Sequence, residues 1–341
     1  RLVRAADGLD VDLRGVDTAL CESGPDLGGQ RFVLLDRPRV ALVSQWPVAT
    51  TSFGSVWHLL DARVGLQTSP ISITALGSAD LRRYNVIILP HVWRTDVLPA
   101  LLNQPVRRRL KQWMESGGTL IAIGGSAAFL ARKDTDFSAV RLRREALDEL
   151  EIYEEARQRE QQAAHVEIDP ARIWDGSEAS NPKHDDHKHA AVPAETPPAD
   201  LDARKREDTW LRIFQPTGAI VDAVLDPEHW LTFGLSEGRA YENRLPVLLS
   251  GSYAFLSKYP VQTPVRLAEK KELRLSGLLW PEARKRWAGT AYATVERVGY
   301  GQLVLFAGDP IFRGYFEGTG RLLLNAVLLG PGMADASPIP W

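Results

Sequence analysis

Short, wholly apolar runs alternate along the chain with segments whose apolar residues recur every three or four positions. Arg39-Val40-Ala41-Leu42-Val43, Asn85-Val86-Ile87-Ile88-Leu89-Pro90, Thr119-Leu120-Ile121-Ala122-Ile123 and Gln302-Leu303-Val304-Leu305-Phe306-Ala307 have the composition of strands buried on both faces of a parallel sheet. Ile71-Ser72-Ile73 predicts a shorter strand of the same kind. Between these runs, Val56, Leu59 and Leu60 predict a helix that Ser52 would cap. Val106, Leu110 and Trp113 predict another over Pro105 to Ser116, stopped by Gly117-Gly118. Gly124-Gly125-Ser126 then turns the fourth strand into a further helix. Strand and helix in this alternation predict an α/β fold with a doubly wound, mostly parallel sheet.

The pattern breaks in the middle of the chain. Residues 141–163 are dense in Arg, Glu and Gln and predict a long solvated helix. Residues 175–206 hold few large apolar side chains and read as a flexible linker or insertion, because too little burial is available to offset the entropy of ordering. Strand patterns return at Gly218 to Leu225, Leu245 to Leu249, Arg274 to Leu279 and Ala291 to Val298, and a Leu-rich helix over Gly320 to Leu329 closes the chain. The expected organisation is a tail of a preceding domain or linker (1–36), the first part of the α/β domain (37–140), a charged helix and insertion (141–210), the second part of the domain (211–332) and a C-terminal tail (333–341).

Composition narrows the function classes. The 341 residues are 44% hydrophobic and 25% charged, with a formal net charge of -2, which excludes a broadly basic nucleic-acid binder. No apolar run reaches the roughly 18 residues of a membrane helix. Cys21 is the single cysteine, so neither an internal disulfide nor a Cys-rich zinc site is available. HExxH, Walker A and G-x-G-x-x-G motifs are all absent from the sequence.

Candidate chemistry concentrates at the turn after the fourth strand, because sites in doubly wound sheets lie beyond the carboxyl ends of the strands. Gly124-Gly125-Ser126-Ala127-Ala128 is a relative of the nucleophile elbow G-x-S-x-G, although packing alone also demands small residues at such turns. With Ser126 as nucleophile, His91 after Pro90 or His229 in Asp226-Pro227-Glu228-His229-Trp230 would serve as base. Both histidines read equally as capping or half-buried groups. Beyond the last strand, Asp309, Arg313 and Glu317 are expected to form an ion-pair cluster, with Asp309 capping the turn at Pro310. Gly124, Gly125, Ser126, Asp309 and Arg313 are thus the expected binding residues. His184, His187 and His189 carry ligand chemistry suited to zinc or nickel, but in a polar segment with nothing to preorganise them.

Several of these stretches resemble a known family. The runs from Arg39, Gly54-Ser55-Val56-Trp57-His58-Leu59-Leu60-Asp61, Tyr84 to Pro90 and Trp113 to Gly125 are similar to a class I glutamine amidotransferase-like domain, flavodoxin-like in fold. More closely, they resemble the version at the C-terminus of large bacterial zinc carboxypeptidases of the carboxypeptidase A type. Ser276-Gly277-Leu278-Leu279-Trp280-Pro281-Glu282-Ala283 and Val304 to Asn325 carry the later part of the resemblance, which covers roughly residues 30–332. Active members place a cysteine at the elbow and a histidine after the last strand. Here those positions are Gly124 and Asp309, and a thiolate–imidazole pair cannot be built from them. His58-Leu59-Leu60-Asp61 falls short of the His-x-x-Glu zinc motif.

The resemblance therefore implies a non-catalytic accessory domain. It holds no cofactor of its own, zinc belonging to a carboxypeptidase domain upstream in the parent chain. Its partners would be that domain and a peptide substrate, not nucleic acid. A periplasmic or secreted location would follow if the parent carries a signal peptide. Two other readings compete with it. One is a serine hydrolase on the same fold, using Ser126. The other is a module that binds a small ligand without turnover.

Overall fold

The computed structural model describes residues 35–163, 201–235 and 243–333, together with residues 15, 17–20 and 26. Its first part runs β1 (Val40–Ser44), α1 (Thr50–Trp57), β2 (Thr68–Ser72), β3 (Val86–Leu89), α2 (Gln104–Glu115), β4 (Thr119–Ile123), α3 (Gly125–Leu130), β5 (Arg141–Leu142) and α4 (Leu150–Ala163). Its second part runs α5 (Leu201–Ile213), β6 (Thr217–Leu225), β7 (Arg244–Ser250), β8 (Phe255–Leu256), β9 (Gln262–Leu267), β10 (Arg274–Ser276), α6 (Pro281–Trp287), β11 (Ala291–Val298), β12 (Gly301–Phe306) and α7 (Glu317–Leu328).

The strands form one sheet in the order β10-β6-β9-β11-β12-β4-β3-β1-β2. The segment β2-β1-β3-β4-β12 is parallel throughout, and every pairing from β12 outward to β10 is antiparallel. This parallel order is that of a doubly wound, flavodoxin-like sheet. Every residue of β3, β4 and β12 is buried, as their unbroken apolar runs require. In β6 the burial alternates instead, with Ala219, Val221, Ala223 and Leu225 inward. Connections leave β1 and β3 in opposite directions across the sheet, so right-handed crossovers put α1 and α2 on opposite faces.

Helix α2 ends as its sequence dictates. Gly117 adopts φ +109, its N–H reaches the Met114 carbonyl at 2.8 Å, and the Gly118 N–H reaches that of Trp113 at 3.1 Å. This is a Schellman closure, which satisfies carbonyls that would otherwise be orphaned.

Several expectations need correction. Ser52 does not cap α1: the cap position is Ala49, and Ser52 is a buried residue of the first turn. The helix continues over His58–Arg63 with π-type winding, leaving His58 exposed while Leu59 and Leu60 face the core. Residues 141–149 are not part of the long helix, which begins at Leu150; they hold only a 3-10 turn at Arg143–Glu145. Arg141 and Leu142 pair with Leu256 and Phe255, and burial of Leu142, Ala146 and Leu147 draws this stretch onto the sheet. The strand expected over Arg274 to Leu279 stops at Ser276, where Gly277 takes φ +83. The insertion read as 175–206 overlaps a helix, because α5 spans the line drawn at 210. The remainder of that insertion, most of the expected tail or linker at 1–36 and the tail from 334 lie outside the described residues.

Helix α5 is fixed to α6 by a buried ion pair. Arg286 Nε donates to Asp208 Oδ1 at 3.1 Å, with 3% and 5% of the two side chains exposed, and Arg286 also donates to the Ser252 carbonyl at 3.0 Å. Removing one member strands the other charge in the core, so Asp208→Ala should lower stability by about 3–5 kcal/mol. Replacing both residues by apolar side chains of similar volume should restore most of that loss. Urea melts of the two variants measure the difference; equal losses would show that the pair is not desolvated.

Candidate functional site

The carboxyl ends of β1, β3, β4 and β12 lie along one edge, and the order of the strands reverses direction between β1 and β3. Such a switch point opens a crevice in doubly wound sheets. Here the loops on its two sides are tied together. Val48 bridges Val92, and the Ala49 N–H donates to the His91 carbonyl at 2.8 Å.

Gly124 occupies the elbow between β4 and α3 with φ +54 and ψ -114, a backbone state that strongly favours glycine. A Cβ there would lie 2.3 Å from His91 Nδ1, and one on Gly125 would lie 2.0 Å from the Val92 carbonyl oxygen. The imidazole of His91 thus fills the space an elbow side chain would use. Its Nδ1 accepts the Gly125 N–H at 2.9 Å, which places the ring proton on Nε2. Nε2 is buried and has no hydrogen-bond partner. Burial pushes the imidazole down to about 4, so it is neutral at physiological pH. Trp93 sets its ring edge-on to His91 at 4.3 Å between centroids.

Ser126 is buried, and its hydroxyl donates to the Pro90 carbonyl at 2.6 Å. Neither candidate base contacts it. His91 is committed to Gly125, while His229 Nδ1 accepts the Leu231 N–H at 3.0 Å and its Nε2 meets Gln262 Oε1 at 3.1 Å. Burial pushes His229 down, partly opposed by Gln262. It is a turn-capping histidine, as the bland reading of its sequence suggested.

The cluster of Asp309, Arg313 and Glu317 does not form. Asp309 accepts the Ile311 N–H at 3.1 Å, Glu317 pairs with Arg63 at 2.9 Å, and the Arg313 guanidinium stands over the Phe312 ring at 5.3 Å. Each charge finds a nearer partner on its own loop or on the π-wound turn. Burial pushes the Asp309 carboxyl up, opposed by the Ile311 N–H and the Ser52 hydroxyl. Ser52 also accepts the His91 backbone N–H at 3.1 Å, so one hydroxyl joins the β3 loop to the β12 loop. Tyr292, from β11, is fully buried with an unpartnered hydroxyl, and burial followed by the Asp309 charge pushes its phenol up. Neither Ser52 nor Tyr292 was singled out for this edge from the sequence. Among the described residues no group of three or more His, Cys, Asp or Glu could hold a metal ion. Cys21, His184, His187 and His189 lie outside those residues.

Chemically, the elbow lacks both parts that acyl transfer needs. No side chain projects at residue 124, and the N–H of the following residue, which in such elbows helps to hold the oxyanion, is spent on His91 Nδ1. Near this edge the His91 Nε2–H and the Tyr292 hydroxyl are both buried without a hydrogen-bond partner.

No family model matches the chain, and no curated protein matches it. Among solved structures it is similar to a chain of PurLQS from Thermotoga maritima, at 10% identity over 85% of this chain and 98% of that one, with a TM-score of 0.45. A cytoplasmic protein from Salmonella typhimurium gives the same identity, coverage and score. A thua-like protein from Bacteroides uniformis follows at 12% identity, covering 87% of this chain and 92% of its own, with a TM-score of 0.42. These likenesses are loose, and the fold assignment rests on the strand order itself. No helix of the described residues is long and apolar enough to cross a membrane.

Two predictions follow from the edge. The unfolded imidazole of His91 protonates near 6.5 and the folded one only near 4. The folded state therefore resists protonation, and stability that is intact above pH 6.5 is lost as pH falls toward 4, by up to about 3 kcal/mol. In urea melts between pH 7.5 and 4, wild type should lose about that much more than His91→Asn, whose amide oxygen can still accept the Gly125 N–H. Parallel losses in the two proteins would mean that His91 titrates normally. At Asp309, Asn should retain most of the stability because its oxygen still accepts the Ile311 N–H, whereas Ala should cost about 1 kcal/mol. An Asp309→Asn variant as unstable as Asp309→Ala would show that the charge, not the hydrogen bond, matters.

Proposed function

We propose that this chain is a degenerate glutamine amidotransferase-like domain that acts by binding and not by turnover. The observation that carries the reading is the position of His91: its ring occupies the side-chain space of Gly124, and its Nδ1 takes the Gly125 N–H. One residue thereby closes both the nucleophile position and the donor behind it. Ser126 does not replace the missing nucleophile, because its hydroxyl is bound to the Pro90 carbonyl. Trp46 and Trp93, 66% and 73% exposed, stand on the β1 and β3 loops and supply apolar area for a partner or an extended peptide at this edge.

The setting that fits the sequence resemblance is an accessory domain of a bacterial zinc carboxypeptidase, packed against the catalytic domain and helping to position its peptide substrate. The Leu278-Leu279-Trp280-Pro281-Glu282 and Phe306-Ala307-Gly308-Asp309-Pro310 stretches are its most specific support. In this reading the zinc is held by the catalytic domain and none of the residues described here is a ligand.

The purified chain should release no ammonia from glutamine and should not hydrolyse nitrophenyl esters above the buffer rate. Turnover that disappears in Ser126→Ala would falsify the binding-only reading. The setting is tested separately by the reading frame upstream of Arg1, where a domain with a His-x-x-Glu zinc motif is expected. An unrelated domain there would remove the carboxypeptidase assignment while leaving the closed elbow untouched.

A further inference from the structure

A cavity of about 430 Å³ opens well away from the strand edge, between α4, β8 and the turn after α6. Arg143, Arg157 and Arg266 line it, beside Leu150, Tyr153 and Leu256. Two of the arginines are neutralised. Arg157 pairs with Glu154 and Glu269, and Arg266 with Glu160 while also donating to the Gly289 carbonyl at 3.0 Å. Glu151, on the same wall, is held by Arg204.

Arg143 differs from both. Its Nε is buried without a hydrogen-bond partner, and its guanidinium makes no ion pair with any described residue. Glu154, Glu207 and Asp208 are near enough to favour its charge, but they are engaged by Arg157, Lys285 and Arg286. Desolvation nevertheless holds Arg143 below the ordinary arginine range. A half-buried guanidinium whose Nε is buried without a partner is an unfavourable arrangement in a folded protein, and a bound anion is one of its standard explanations.

We infer that this cavity binds a small organic carboxylate, its anion paired with Arg143 and its apolar body lying on Leu150, Tyr153 and Leu256. The charge count favours a monoanion. One cation is uncommitted, and Glu151, Glu154 and Glu155 on the same lining would repel a dianion such as phosphate. The volume is within the range of about 300–1,000 Å³ usual for small-molecule sites, and the lining pairs apolar side chains with one cation that forms no ion pair among the described residues. A planar guanidinium also suits two parallel hydrogen bonds to a carboxylate. The inference is independent of the closed elbow.

The test uses the whole chain and phenylacetate as the probe, with phenylacetamide and inorganic phosphate as comparators, followed by calorimetry and by the Arg143 Nε–H resonance. Phenylacetate should bind saturably and shift that resonance, the neutral amide should bind at least roughly tenfold more weakly, and Arg143→Gln should weaken the acid by a similar factor. The resonance is read on the wild-type protein, so the result does not depend on the variant folding. Equal binding of acid and amide, phosphate binding without phenylacetate binding, unchanged affinity in Arg143→Gln, or no saturation by about 20 mM phenylacetate would each overturn the inference.

Discussion

The close approach of His91 to the β4–α3 turn governs the functional edge. The backbone of Gly124 and Gly125 passes within side-chain distance of the β3 loop, so neither position can carry a Cβ without displacing a ring or a carbonyl. That constraint forces a positive φ at Gly124 and leaves the Gly125 N–H pointing at an imidazole. It also explains the tie between the loops of β1 and β3, because the His91 carbonyl and N–H are the atoms that Ala49 and Ser52 engage. Ser52 also lies beside Asp309, whose ionised carboxyl its hydroxyl favours.

Most of the parallel half was legible because β1, β3, β4 and β12 are buried on both faces and announce themselves as apolar runs, whereas the edge strand β2 is largely exposed. The stop of α2 was legible for a different reason: paired glycines after a helix admit few backbone solutions. The antiparallel half was harder to read. Strand β9 contains Pro264 and alternates with Thr263 and Arg266, a pattern that speaks against an interior strand until the neighbours on either side are known. Residues 141–149 carry the composition of a solvated helix, but three small or aliphatic side chains among the charges decide their fate through burial. Local propensity lost to tertiary packing in that stretch.

At the elbow, sequence reasoning offered His91 or His229 as a base in case Ser126 were a nucleophile. In the structure neither histidine contacts Ser126, and His91 instead accepts the Gly125 N–H in the space beside Gly124. The signal that could have revealed this is the glycine pair itself. Two successive residues without side chains, where the family carries a nucleophile, imply that something else occupies the volume. Ser52 and Tyr292 left no such trace, since a serine early in a helix reads as a cap and a tyrosine in an apolar strand reads as core. Their roles depend on β1 and β12 ending where the antiparallel β11 begins, which only the assembled sheet establishes.

The late arrival of β12 has a consequence for how the chain is made. This strand sits in the middle of the sheet, pairing Leu303 with Leu120 on one side and Thr294 with Leu305 on the other. Everything from β5 to β11 must leave the ribosome before β4 acquires its outer neighbour. Until then β4 presents a wholly apolar, unpaired edge, the kind of surface that invites association with other chains. The distant pairing also makes closure of the sheet slow, since a very long loop must be drawn in before the contact is rewarded.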